Sequence, residues 1–203
     1  MTDTLNTGQD SSQWTYHDMT AYHGSKRYEL WNGTLVMTSA HTLEDRLLVK
    51  RLFKLFLAYD VDEVLGELLY GPSEVVLSVE WVVQPDILFI SHARQGILGP
   101  RWILGGPDLV VEVESPCAAA RNADFCQQRM LAYASANVLE YWLADAEAHT
   151  LTVYELDAAN SDTGYAEAGI YGVGEMALSR LLPEVCIPVE KVFRNLVSVT
   201  GRG

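Results

Sequence analysis

The chain has 203 residues, 49% of them hydrophobic and 10% aromatic, enough for one full core and, by length, for one domain preceded by a short arm. Its 14 Lys and Arg against 27 Asp and Glu give a net charge of −13, which argues against a protein that coats nucleic acid through phosphate contacts, since those rest on Lys and Arg displacing counterions. No apolar run reaches the ~18 residues of a membrane span, and the N-terminus carries no basic and apolar signal segment.

The cysteines Cys117, Cys126 and Cys186 form no C-x-x-C pair, so the expected setting is cytoplasmic, with reduced thiols and no zinc. The acidic balance does not exclude an enzyme acting on nucleic acid, because a bound cation can reverse the field at one site.

Residues 1–13 are polar and aperiodic and are expected to form a flexible arm, leaving a single domain over 14–203. Tyr28 to Trp31 and Thr34 to Met37 flank Asn32-Gly33 and predict a hairpin with a two-residue turn. A helix is expected from Thr42 to Ala58. Thr42 suits the N-cap, Asp45 suits the positive end of the dipole, and Leu43, Leu47, Leu48, Leu52, Leu55 and Phe56 are expected to form its core face. Strands are expected over about 64–70, 73–79, 82–90 and 108–114, with a glycine-rich loop over 96–106 before the last of them.

A second helix follows over 118–136, then strands over 138–144 and 151–156 and a closing pair over 165–173 and 175–178. A turn over 157–164 and a short terminal helix over 188–196 complete the pattern. Strands before, between and after two long helices predict an α/β (α+β mixed) fold with a mixed sheet flanked by helices.

The chemistry lies in two of these strands. V-V-Q-P-D-I-L-F-I, Val82 to Ile90, and P-D-L-V-V-E-V-E-S-P, Pro107 to Pro116, have the apolar content of buried strands yet contain Asp86, Glu112 and Glu114. A carboxylate buried there must be paired, protonated or bound to a metal. Alternation puts Asp108, Val110, Glu112 and Glu114 on one face and Leu109, Val111 and Val113 on the other. An acidic patch of this kind suits a hard divalent cation, which can activate a water and offset phosphate charge.

His17, His23, His41, His92 and His149 show no ligand spacing, and His41 alone falls near the acids. Neither a phosphate-binding G-x-x-x-x-G-K-[ST] nor a G-x-S-x-G nucleophile turn occurs. Tyr141 and Trp142 read as core or interface residues.

G-G-P-D-L-V-V-E-V-E-S-P (Gly105 to Pro116) and Y-A-S-A-N-V-L-E-Y-W-L-A-D (Tyr133 to Asp145) resemble the Uma2 family, also known as domain of unknown function 820. So do Y-E-L-W-N-G-T-L-V-M, V-V-Q-P-D-I-L-F-I and L-P-E-V-C-I-P-V-E-K-V-F, in the expected order from Tyr28 to Phe193. The resemblance implies the restriction-endonuclease-like fold of the PD-(D/E)xK superfamily, a central mixed sheet flanked by helices, with Mg²⁺ or Mn²⁺ as cofactor and DNA as substrate. By the same resemblance Asp86 is the P-D aspartate, Glu112 the strand acid and Glu44 the helix-borne acid, and these three would hold the metal.

The superfamily places a lysine two residues after the strand acid, where this chain has Glu114. In the family a lysine on the following helix stands in, and here that position, four residues before Tyr133, is Arg129. Arginine keeps the charge and can grip a phosphate, but it cannot act as a base.

The catalytic set expected is thus Asp86, Glu112, Glu114, Arg129 and Glu44, and two readings stay open. One is a metal-dependent endonuclease, working as a homodimer because duplex cutting favours two sites. The other is an inactive fold serving as a dimerising or partner-binding module.

Overall fold

A computed structural model describes residues 13–21, 28–38, 41–59, 64–114 and 123–194, with the backbone alone for Glu114 and 123–125. Asn32 and Gly33 have φ of 45° and 76°, the left-handed pair that a two-residue type I′ turn requires. They join β1 (Tyr28–Trp31) to β2 (Thr34–Met37) in the expected hairpin. Ahead of it, inside a stretch with no clear periodicity, stands the short helix α1 (Tyr16–Ala21), whose Met19 is buried with Leu30, Leu35 and Val82.

The first long helix, α2 (Leu43–Leu57), is held at its start by a complete capping box. Thr42 Oγ1 accepts from Asp45 N at 3.1 Å and Asp45 Oδ2 accepts from Thr42 N at 2.9 Å, which satisfies two backbone donors that a helix start leaves open.

Six strands form the main sheet: β3 (Gly66–Tyr70), β6 (Ile87–Ser91), β8 (Leu109–Glu114), β9 (Glu140–Asp145), β10 (Thr150–Leu156) and β11 (Tyr165–Tyr171), in the order β11-β10-β9-β8-β6-β3. The β8–β9 pair is parallel and the others antiparallel. A parallel pair needs a crossover, and helix α3 (Ala123–Ser135) lies within it.

Leu48, Leu52 and Phe56 of α2 bury against one face of this sheet with Leu109, Val111, Val113 and Trp142. Tyr133 of α3 buries against the other with Leu88, Ile90, Val110 and Tyr141. Helices therefore cover both faces, and each fully buried Leu or Phe contributes about 1.5–3 kcal/mol. The alternation expected for Leu109 to Val113 holds residue by residue.

A second sheet, β2-β1-β5-β4-β7, adds β4 (Val75–Ser78), β5 (Trp81–Val83) and the two-residue β7 (Ile103–Leu104) to the hairpin. Here the expectation of a single strand over 82–90 is corrected. Trp81–Val83 and Ile87–Ser91 belong to different sheets, and Pro85, which cannot donate to a ladder, sits in the break between them. Asp86 therefore ends a connection rather than lying inside a strand.

The closing pair is also corrected: β11 pairs with β10, while β12 (Met176–Leu178) pairs with β13 (Cys186–Pro188) ahead of α4 (Val189–Phe193). A 3₁₀ turn (His92–Ile97) runs into the loop expected over 96–106 and β7 lies within it, structure that the glycines do not advertise. The first residues of the expected second helix, 118–122, lie outside the described residues. No helix among those described is long and apolar enough to cross a membrane.

Candidate active site

In the antiparallel β6–β8 pair Ile87 faces Val111 and Leu88 faces Val110. Asp86 directly precedes β6, one residue before the Ile87–Val111 pair, and its charge acts on Glu112, the residue after Val111 in β8. Asp86 is 7% exposed and Glu112 5%. Asp86 Oδ2 accepts from Val113 N at 2.8 Å, a bond that ties the aspartate to the backbone beside the strand acid. Its other oxygen, Oδ1, stands 3.3 Å from His41 Nε2. His41 immediately precedes the capped start of α2 and is half-buried, so it reaches from Asp86 toward solvent.

Arg129 and Tyr133, one helical turn apart on α3, meet Glu112 from above the sheet. Tyr133 Oη donates to Glu112 Oε1 at 2.6 Å, and Arg129 Nη1 lies 3.2 Å from Glu112 Oε2. A further carboxylate completes the group. Glu29 on β1, 3% exposed, faces Arg129 Nη2 at 3.4 Å and accepts from Gln84 N at 2.7 Å and from Trp31 Nε1 at 2.8 Å. The Trp31 ring lies under the guanidinium, 4.9 Å from Cζ to the ring centroid, close enough for a cation–π contact. Arg129 is thus clamped between two carboxylates and an aromatic ring. Its Nε–H has no acceptor among the described residues.

Electrostatics make this cluster unusual. Burial drives the Glu112 carboxyl up to about 8, with Asp86 and Glu29 adding to the rise and Arg129 and the Tyr133 hydroxyl opposing it. Burial also raises Asp86, against the pull of His41, the Val113 amide and Arg129, and with a smaller push from Asp45. For Arg129, burial alone would favour losing its proton, but Glu112 and Glu29 hold the guanidinium firmly charged. The Tyr133 hydroxyl is raised by burial and by Glu112, so it remains a donor. One guanidinium thus faces Glu29, Glu112 and Asp86, an excess of negative charge that a proton or a second cation must offset.

Other buried acids lack this frustration. Glu140 accepts from Trp142 Nε1 at 2.6 Å, Ser179 Oγ at 2.7 Å, Arg180 N at 2.6 Å and Leu181 N at 2.8 Å. Asp108 accepts from Ser91 N at 2.7 Å and faces Arg94 Nε at 3.4 Å. Both, like Asp86 and Glu112, have donors of the fold at their oxygens; what sets Glu112 apart is that Asp86 and Glu29 crowd it and add to its rise.

The structure thus brings Asp86, Glu112 and Arg129 of the expected set together. Glu44 sits half-buried in the first turn of α2, and it is the next residue, Asp45, whose charge acts on Asp86. Glu114 ends β8 opposite Asp145, and the role expected of its side chain lies outside the described residues. Glu29, Trp31 and Tyr133 were not singled out from the sequence. An acid inside the apolar run Y-E-L-W carries the same signal that exposes Glu112, and Tyr133 stands at helical spacing from Arg129.

The residues fit a divalent cation on donor chemistry and charge. Mg²⁺ is held through one or two carboxylates, with water and substrate phosphate filling the remaining places, and Asp86 and Glu112 are two hard oxygen donors from adjacent elements in a region of excess negative charge. Among the described residues no three His, Cys, Asp or Glu side chains are grouped to enclose a metal by themselves, so the protein's share of the shell would be those two carboxylates.

Comparison with curated proteins finds no match. Among solved structures, the chain is similar to one titled a "putative nuclease belonging to DUF820" from Anabaena variabilis ATCC 29413, with a TM-score of 0.68, 12% identity, and coverage of 87% of this chain and 94% of that one. At that identity the likeness establishes the shared fold. The model of the Uma2 family, described as "Putative restriction endonuclease", matches residues 14–190. With that match spanning most of its length, the chain belongs to the Uma2 family.

Proposed function

We propose that this protein hydrolyses phosphodiester bonds of DNA with Mg²⁺ or Mn²⁺ held by Asp86 and Glu112. The observation that carries this reading is the gathering of three buried carboxylates, Asp86, Glu112 and Glu29, around Arg129, the one guanidinium among the described residues that pairs with any of them. Isolated buried charge is costly, and Asp86 and Glu29 stand near enough to Glu112 to raise its carboxyl, a crowding of acids that a purely structural role does not call for. A bound divalent cation would lower the pKa of a water and offset the charge of the attacked phosphate.

The chain's own residues do the rest. The Val113 amide fixes Asp86. Tyr133 and Arg129 orient Glu112, and Glu29 with Trp31 holds Arg129 in place. Arg129 supplies positive charge in a poorly solvated site, where it acts more strongly than in water. Because a guanidinium cannot take a proton from water, His41 is the side chain assigned to that role, being half-buried and in contact with Asp86. A homodimer would set two such centres against one duplex.

A second reading is favoured by the closure of the Glu29–Arg129–Glu112 clamp. There the guanidinium serves as a permanent cation, and the fold acts as a partner-binding module without turnover. The two readings separate in one assay. Supercoiled plasmid and single-stranded DNA are incubated with the protein in Mg²⁺, Mn²⁺ or EDTA, beside Asp86→Asn. Nicking that needs the metal and disappears in the variant supports the nuclease. Absence of nicking with either metal supports the module.

A further inference from the structure

Beside the clamp lies an open cavity of about 310 Å³ between the second sheet and α3. The sheet side supplies Asn32 from the hairpin turn, Ser78 from β4 and Trp81 from β5; the helix side supplies Gln128, Leu131 and Ser135. The spacing of these helix residues puts them on one stripe of α3, next to the stripe that carries Arg129 and Tyr133. Trp31 links the two compartments. It lies under Arg129 at 4.9 Å and packs against the Trp81 ring at 5.7 Å between centroids. The cavity is thus one aromatic ring away from the candidate active site.

Its lining has a distinct chemistry. Among the described residues no Lys, Arg, Asp or Glu lines it, and those that do line it offer a phosphate little. It presents instead an indole wall, amide groups on opposite sides from Asn32 and Gln128, and the hydroxyls of Ser78 and Ser135. Amides read the donor and acceptor edges of bases, and indole rings stack on base faces. The volume is at the small end of ligand pockets, which run from about 300 Å³ upward. The ligand this selects is planar, uncharged and edged with hydrogen-bonding groups.

We propose that this cavity is a subsite for an unpaired nucleobase of the nucleic acid on which the protein acts. The inference rests on the nuclease reading for its ligand and adds to it a mode of grip. A chain with net charge −13 gains little from phosphate contacts, and holding a base beside the cleavage centre supplies affinity by stacking. It also sets a preference for single strands, or for duplexes in which a base is easily extruded, because unstacking a paired base costs free energy.

The test uses the full chain in EDTA, so that binding is read without cleavage. Fluorescence anisotropy compares a labelled 12-nucleotide single-stranded DNA with a strand of the same length whose sugars carry no bases. The native protein is expected to bind the base-bearing strand about tenfold or more tightly, since a base stacked on an indole adds affinity that a bare sugar cannot. Trp81→Ala should remove that difference. So should Ser135→Phe, which fills the cavity from an exposed position on α3 and keeps the test informative should Trp81→Ala fail to fold.

Equal affinity for both strands, no binding of either, or discrimination that survives in Ser135→Phe would overturn the proposal. Plasmid nicking by the native protein in Mn²⁺, run in parallel, separates the two claims. Nicking without base discrimination removes the subsite and keeps the nuclease, whereas discrimination without nicking keeps the subsite and removes the nuclease.

Discussion

Arg129→Met tests whether the buried clamp is one electrostatic unit. The substitution keeps a long unbranched side chain against Trp31 but deletes the guanidinium, leaving Glu29 and Glu112 without the cation that faces them at 3.4 and 3.2 Å. Breaking a buried ion pair costs about 3–5 kcal/mol, because the partner remains in low dielectric uncompensated. Loss of the cation–π contact with Trp31 adds about 1–2 kcal/mol. Two effects work against these costs: Met recovers apolar packing, and the Glu112 carboxyl, already pushed up to about 8, escapes part of the penalty by staying protonated.

The expected net loss near neutral pH is about 3–5 kcal/mol, a large part of the ~5–15 kcal/mol that holds a domain together. Urea unfolding reads it directly, as a lower midpoint with an unchanged slope. Read at a pH above about 8, where the Glu112 carboxyl would otherwise ionise, adding Glu112→Gln to Arg129→Met should restore part of the loss by removing one of the two stranded charges, and the double-mutant cycle should give a coupling of about 0.5–3 kcal/mol. A loss below about 1 kcal/mol in Arg129→Met, or strict additivity in the cycle, would show that the clamp is a surface-like pair of little weight and would refute the reasoning.

The remaining predictions address the acids and the fold separately. Because the folded-state Glu112 carboxyl is raised from 4.5 to about 8, the folded chain holds a proton that the unfolded chain has lost. Its stabilising share is complete below about 4.5 and is lost as pH rises through about 8. Each pH unit in that window removes up to about 1.4 kcal/mol per proton, so thermal melting of the native protein should weaken with rising pH and Glu112→Gln should flatten the slope; equal slopes would contradict the assignment. Glu140→Ala leaves two buried and two half-buried donors without their acceptor and should cost at least about 3 kcal/mol in urea unfolding, while divalent-cation binding stays intact. Thr42→Ala removes one arm of the capping box and should cost about 0.5–2 kcal/mol of stability, read as a small drop in Tm.

What was legible in the sequence was what neighbours in the chain decide. Asn32-Gly33 announces its turn because few residue pairs tolerate two consecutive positive φ values. Thr42 with Asp45 announces a helix start because those side chains satisfy the open amides. The same holds for Glu112, since an acid between Val111 and Val113 is too costly to be there without a partner.

Pairing between distant segments was not legible. Val82 and Ile90 belong to one apolar run, yet that run feeds two sheets, because Pro85 breaks the ladder and the choice of partner depends on β1 and β8. Likewise β12 turns to β13 rather than to β11, and nothing local in Met176 to Leu178 marks which it will choose. The same nonlocality hid Glu29. It stands 100 positions from Arg129 in the chain and gains its meaning only when the hairpin sheet closes over α3.

The measurement that tests the central claim most directly is calorimetric titration of Mn²⁺ and Mg²⁺ into the native protein, Asp86→Asn and Glu112→Ala, with a plasmid-nicking assay on the same samples. The account predicts one cation site in the native chain together with nicking, and loss of both in each variant while the fold persists. Nicking that survives Glu112→Ala, or a native chain that neither binds the cation nor nicks DNA, would contradict it.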